Sequence, residues 1–208
     1  MTNIFSAFIV ACLWLPGVAL SQVTKKNKKM TEGKTYPKAL VNYDDFKNLV
    51  AEVESHRLTH LVDLNTFLKM SKEKNVVILD SRSTFRYERK HLKGAIHLSF
   101  TDFTQTNLLT LIPDPATKIL IYCNNNFDGD PVDFASKIAT PNALPPIQRE
   151  TQILSNRKPL MLALNIPTYL NLYGYGYRNV YELHELVNIN DPRIAFQGSV
   201  VKPGQSSK

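Results

Sequence analysis

Two short runs of uninterrupted apolar residues constrain this chain most. They are Val76-Val77-Ile78-Leu79, which ends in Asp80, and Ile119-Leu120-Ile121-Tyr122, which ends in Cys123. A strand with one face in water alternates apolar and polar residues. A strand that is apolar throughout is covered on both faces, as in the middle of a parallel sheet. Ala95-Ile96-His97-Leu98 and Val180-Tyr181-Glu182-Leu183 supply two more short strands. The intervening stretches are long enough for helical crossovers. The fold class is therefore α/β, a three-layer sandwich whose mostly parallel central sheet carries helices on both faces. In open sheets of this kind the functional site forms at the carboxyl ends of the strands, where Asp80 and Cys123 stand.

Helical periodicity fills in the crossovers. Phe46, Leu49, Val50 and Val53 recur at spacings of three and four, with Asp44 or Asp45 available as a cap. A strand is expected within Arg57–Val62. Asp63 is placed to cap a helix with Leu64, Phe67 and Leu68 on its apolar side, and Thr84–Lys90 is helix-compatible. The region from 124 to 166 is irregular and proline-rich, with a helix expected over Gln148–Asn156. Pro167 suits the first turn of another helix running to Leu172.

The N-terminal run Ile4–Leu20 carries no charge and is short for a membrane span, which needs about 20 residues. Pro16-Gly17 breaks it, and Ala19 and Ser21 suit a processing site. It is expected to be a signal peptide over 1–21, giving a periplasmic or secreted protein; an uncleaved membrane anchor is the alternative. The 25 basic and 18 acidic residues leave a formal charge of +7. Residues 22–42 form a basic polar arm with Lys25, Lys26, Lys28, Lys29 and Lys34. Without interleaved aromatics, that arm reads as a solvated lead-in and gives no case for nucleic acid. No stable membrane insertion is expected once the leader is removed. Cys12 and Cys123 are the two cysteines, so the mature chain would keep one thiol and no internal disulfide.

Three motifs in order resemble the rhodanese-like domain. The stretch from Asp80-Ser81-Arg82 through Phe85 and His91-Leu92-Lys93-Gly94-Ala95 is similar to that family's Asp-x-Arg, aromatic, His-Ile-x-Gly-Ala pattern. Lys118–Cys123 is similar to the strand that presents the family's nucleophile. Gly176-Tyr177-Arg178-Asn179-Val180-Tyr181 resembles the Gly-Phe-x-Asn-Val-Tyr stretch before the last strand. The resemblance covers about residues 55 to 190 and implies a domain over 43–196, followed by a flexible tail at 197–208. It further implies that Cys123 carries a sulfane sulfur as a persulfide, and that Asn124, Asn125, Asn126, Phe127 and Asp128 form the substrate cradle. The implied partners are a small sulfur-containing donor and a thiol or cyanide-like acceptor, with no cofactor. A protein partner is a further option.

The cradle departs from the family pattern. Its fifth position after the cysteine is Asp128 where active members carry arginine or threonine. A carboxylate beside a thiolate would raise its pKa and repel an anionic donor, whereas asparagine amides could donate to an anion without adding charge. Two readings stay open: a sulfurtransferase working through Cys123, and a catalytically silent rhodanese-like binding module. Asp80, Arg82 and His91 read as supports that hold loops and pocket wall. His56 and His60, four apart, are too few ligands for a metal site, and none is expected. Tyr169, Tyr173, Tyr175, Tyr177 and Tyr181 read as packing residues.

Overall fold

In the computed structural model, which describes residues 36–140 and 158–201, the two apolar runs lie side by side. The chain from Asn42 onward forms one unit. Its elements begin with helix α1 (Tyr43–Leu58), strand β1 (Leu61–Val62), α2 (Leu64–Met70), β2 (Val76–Asp80) and α3 (Thr84–Arg89). Strands β3 (His91–Leu92) and β4 (Ile96–His97), helix α4 (Gln105–Leu111), and strands β5 (Lys118–Tyr122), β6 (Phe127–Asp128), β7 (Ile138–Ala139) and β8 (Leu160–Met161) follow. The last are helix α5 (Asn165–Gly174) and strands β9 (Val180–Leu183), β10 (Val187–Asn188) and β11 (Phe196–Gln197).

The central sheet has the order β1-β9-β5-β2-β4, and every pairing in it is parallel. β2 and β5 pair in register from Val76 opposite Lys118 to Asp80 opposite Tyr122. Their continuous hydrophobicity splits by the two-residue period of a strand. Val77, Leu79, Ile119 and Ile121 face a core shared with α1, α4 and α5. Val76, Ile78, Leu120 and Tyr122 face a second core with α2 and Tyr87 of α3. The fold is thus an α/β sandwich with a parallel central sheet and helices on both faces, as the apolar runs require.

Local signals set the helix starts. Asn42 caps α1 by accepting from the backbone N–H groups of Asp44 and Asp45, so those two aspartates lie in the first turn. Asp63 caps α2 through Thr66 N–H. The strand expected over Arg57–Val62 shrinks to Leu61–Val62, because α1 continues to Leu58. The helix wins there because Arg57, in its last turn, makes two bonds to Glu182 on β9 at 2.6 and 2.7 Å. Phe46 and Val50 remain exposed, and Val53 is the one buried residue of α1.

The tail expected from 197 onward is ordered through its first residues. β11 pairs antiparallel with β3, and Ser199 and Val200 N–H groups donate to the carbonyls of Glu88 and Arg89. Among the described residues no helix is long and apolar enough to cross a membrane. The proposed leader, most of the basic arm and the helix expected over Gln148–Asn156 lie outside the described residues.

Candidate active site

The carboxyl edge of the sheet is organised around a buried ion pair. At the end of β2, Asp80 accepts from Arg82 Nε at 3.0 Å and Nη2 at 2.7 Å, from Arg82 N–H at 3.0 Å, and from Tyr122 O–H at 2.5 Å. Arg82 also donates to the carbonyls of Lys90 and Asp133 and, at 3.4 Å, to Asn124 Oδ1. Its guanidinium lies over the Phe134 ring, 4.6 Å from the centroid. One buried fork thereby ties the ends of β2 and α3 to two points beyond β5. Burial pulls the Arg82 pKa down, but the bonds to Asp80 and its charge outweigh it, and the group stays charged. Burial and then the Asp80 charge push the Tyr122 hydroxyl well above its ordinary value. The polar side-chain atoms of Asp80 and Arg82 are all engaged by protein partners.

Cys123 follows β5 and is fully buried. Its Sγ accepts from Leu164 N–H at 3.3 Å, immediately before α5, and from the Asn124 N–H. Burial pushes the thiol above its usual range. The two N–H groups and Arg82 pull the other way without overcoming it. At neutral pH the resting residue is therefore a thiol.

The three asparagines after Cys123 form a single turn, each holding a different part of the site. Asn124 bonds Arg82. Asn125 clasps the main chain of Lys137, its Oδ1 accepting from Lys137 N–H at 2.7 Å and its Nδ2 donating to Lys137 C=O at 3.4 Å. Asn126 Oδ1 accepts from Cys123 N–H and from Asn165 Nδ2, both at 2.9 Å. Asn126 Nδ2 donates to the carbonyls of Leu183 and Glu185. The side-chain N–H groups of Asn125 and Asn126 are engaged by protein carbonyls, so these two residues serve as struts.

Phe127 and Asp128 lie apart from the thiol. Phe127 is in the second core against Tyr122, Phe134 and Phe196. Asp128 pairs along β6 with Asn188 of β10 and is exposed. Both line a separate cavity of about 450 Å³ bounded by Ile138, Met161 and Leu186. Of the residues expected in the cradle over 124–128, Asn124 alone lines the cavity with Cys123, while Phe127 and Asp128 turn into β6. Asp130, just beyond, accepts from Lys90 Nζ at 2.8 Å. His91 likewise stays outside: its Nδ1 is 2.6 Å from Tyr87 C=O and its ring stacks on Tyr87 at 3.9 Å.

The cavity that Cys123 lines measures about 400 Å³. Among the described residues its ionisable walls are Cys123, Arg82, Arg86 and Lys137, with no carboxylate, and Ser81, Ser83, Ser99, Thr101 and Ser136 add hydroxyls. Such a cavity suits a small anion. Sequence reasoning missed Arg86, Ser99, Thr101, Lys137 and Leu164. Ser99 was within reach, since it lies just past the carboxyl end of β4. Lys137 and Leu164 carry no local signal. Among the described residues no group of three or more His, Cys, Asp or Glu could hold a metal ion. The tyrosines divide, with Tyr169, Tyr173 and Tyr177 in the core and Tyr175 exposed.

No curated protein matches the chain. Among solved structures, the BH2092 protein from Bacillus halodurans is similar over 74% of this chain and 88% of that one. The identity is 14% and the TM-score 0.39, a likeness too loose to bear on fold or chemistry. The family model described as the rhodanese-like domain matches residues 63–140, a span that holds Asp80, Arg82, Cys123 and the asparagine turn. Over those residues the chain is similar to the rhodanese-like domain.

Proposed function

We propose that this protein moves sulfane sulfur through a Cys123 persulfide. The observation that carries the reading is Cys123 at the carboxyl end of the central strand, against a cavity to which the described residues bring three cationic side chains and no carboxylate. The Cys123 thiolate attacks the outer sulfur of a thiosulfonate-type donor. A new S–S bond forms to Cys123, and the donor's S–S bond breaks with its electron pair leaving on sulfite. An acceptor thiolate then attacks the sulfane sulfur, takes it as a persulfide, and returns the Cys123 thiolate. The Leu164 and Asn124 N–H groups stabilise the anionic sulfur at both stages. Among the described residues no histidine or carboxylate lines the cavity to take the thiol proton; with solvent as the acceptor, turnover rises with pH.

One observation favours a second reading. A fully buried thiol with a raised pKa is what a silent binding module would hold. Intact-mass analysis after incubation with thiosulfate, and separately with an organic persulfide, separates the two. The sulfurtransferase reading expects a gain of one sulfur on the wild type, removed by cyanide and absent from Cys123→Ser. A folded protein that gains nothing from either donor is the binding module. We further propose that residues 1–21 are a cleaved leader, the rhodanese-like domain occupying 43–201. N-terminal sequencing of the exported chain should then begin at Gln22.

A further inference from the structure

Three cations line the Cys123 cavity, and two of them are committed to protein. The Arg82 guanidinium is bound by Asp80, Asn124 and two backbone carbonyls. Arg86 donates to Val132 C=O and lies 3.9 Å from the Asp133 carboxylate. Among the described residues the Lys137 ammonium has no hydrogen-bond or ion-pair partner, and none of the acids among them lines the cavity to neutralise it. The Lys137 backbone, in contrast, is fixed from both sides. Asn125 clasps its N–H and C=O, and Leu162 N–H donates to the same carbonyl at 2.8 Å. Asn125 belongs to the turn that begins at Cys123, so one short segment places both the sulfur and the root of the free cation.

We propose that Lys137 is the specificity-determining residue of this cavity, selecting donors with an anionic sulfonate-type head, and that Asn125 is its positioning residue. The inference rests on the sulfur-transfer reading for its substrate and deepens it. An ammonium is a compact point charge on a flexible stem, so it selects by charge and tolerates variation in the shape of the head. A neutral donor draws nothing from it. Lys137 therefore sets the preference between donor classes, while the chemistry at Cys123 is common to both.

The experiment has two arms. In the first, sulfur transfer from thiosulfate and from an organic persulfide with an uncharged organic group is compared across wild type, Lys137→Met, Lys137→Arg and Asn125→Ala. Lys137→Met is expected to raise KM for thiosulfate about tenfold with kcat within about twofold, and to leave the organic persulfide unchanged. Lys137→Arg should restore most of the loss, and Asn125→Ala should give a smaller change of the same kind. The second arm measures sulfate affinity by amide chemical shifts in the Cys123→Ser background, where no transfer occurs. Adding Lys137→Met there should weaken sulfate about tenfold. Unchanged sulfate affinity overturns the role of Lys137, whether or not the wild type transfers sulfur. Lys137-dependent sulfate binding without sulfur uptake from any donor overturns the transfer reading and leaves Lys137 as the anion selector of a binding site. A Lys137→Met effect equal on both donors also overturns the proposal, since charge selection cannot act on the neutral one.

Discussion

At the scale of single residues, Cys123 and Asn126 make opposite demands. The folded chain holds the Cys123 proton more tightly than the unfolded chain does, because burial raises the thiol. As pH climbs through the ordinary thiol range the unfolded state loses its proton first, so stability falls with rising pH. Chemical denaturation of wild type and Cys123→Ser between pH 7 and 10 should show the wild type losing more; parallel curves would remove the buried thiol from the account. Alkylation should be slow at pH 7 and accelerate with pH across the same interval. Asn126 is the more rigid requirement. Its amide bonds Cys123 in its own turn, Asn165 on α5, and Leu183 and Glu185 at and just past the end of β9. At about 1 kcal/mol for each satisfied bond, and more where a buried partner is stranded, Asn126→Ala should cost about 2–4 kcal/mol. The same variant should lower sulfur uptake at Cys123. None of this was legible from Asn124-Asn125-Asn126 as letters. Asparagine advertises side-chain-to-backbone bonding, but three of those four partners lie 39 to 59 residues away.

At the scale of elements, the seam between α1 and β9–α5 is polar where a helix seam is usually greasy. Val53 is the one buried residue of α1, and docking relies on side chains the helical period did not single out. Arg57 grips Glu182, whose side chain is 4% exposed. Tyr173 O–H donates to Glu52 at 3.0 Å, and His56 Nδ1 lies 2.8 Å from Tyr169 Oη while its ring stacks on His60. Breaking a buried pair strands a charge at about 3–5 kcal/mol, and the partial exposure of Arg57 puts Arg57→Ala near the low end of that range. Hydrogen exchange in the last turns of α1 should rise with it. The His56 imidazole is held below its ordinary pKa by burial, then by the charges of His60 and Arg178. The unfolded chain therefore takes up a proton there first as pH drops below about 6.5, and stability is lost on the acid side. The melting temperature of the wild type should fall more between pH 7.5 and 5.5 than that of His56→Gln. An equal fall in both would place the acid sensitivity elsewhere. The sequence pattern located α1 from its apolar spacing, but Phe46 and Val50, which define that spacing, are exposed. Burial of α1 depends on pairs formed across 113 to 125 residues, which no local period encodes.

For the whole molecule, the split between what was legible and what was not follows the range of the forces. Continuous apolar strands declare two covered faces, and strand-end residues declare an edge, so the sheet and the places of Asp80 and Cys123 could be read directly. The end of the chain could not. Its polar character suggested a loose tail from 197, yet Gln197 pairs with His91, beside Phe196, which joins Phe127 and Phe134 at 5.6 and 5.4 Å in the second core. Residues 196–201 therefore close one face of the sheet. Gly198 makes the closure possible. Its φ of +132° lies where side-chain-bearing residues rarely go, and a Cβ there would collide with the Arg89 carbonyl. Ser199 and Val200 then bond the carbonyls of Glu88 and Arg89, at the end of the helix whose Arg86 lines the Cys123 cavity. Gly198→Ala should cost about 3 kcal/mol from backbone strain and the clash together. Because the displaced segment includes part of a core, the loss should appear as a lower midpoint of one cooperative denaturant transition. Local fraying at α3 and β3 with an unchanged global midpoint would mean that the second core holds without its closing strand.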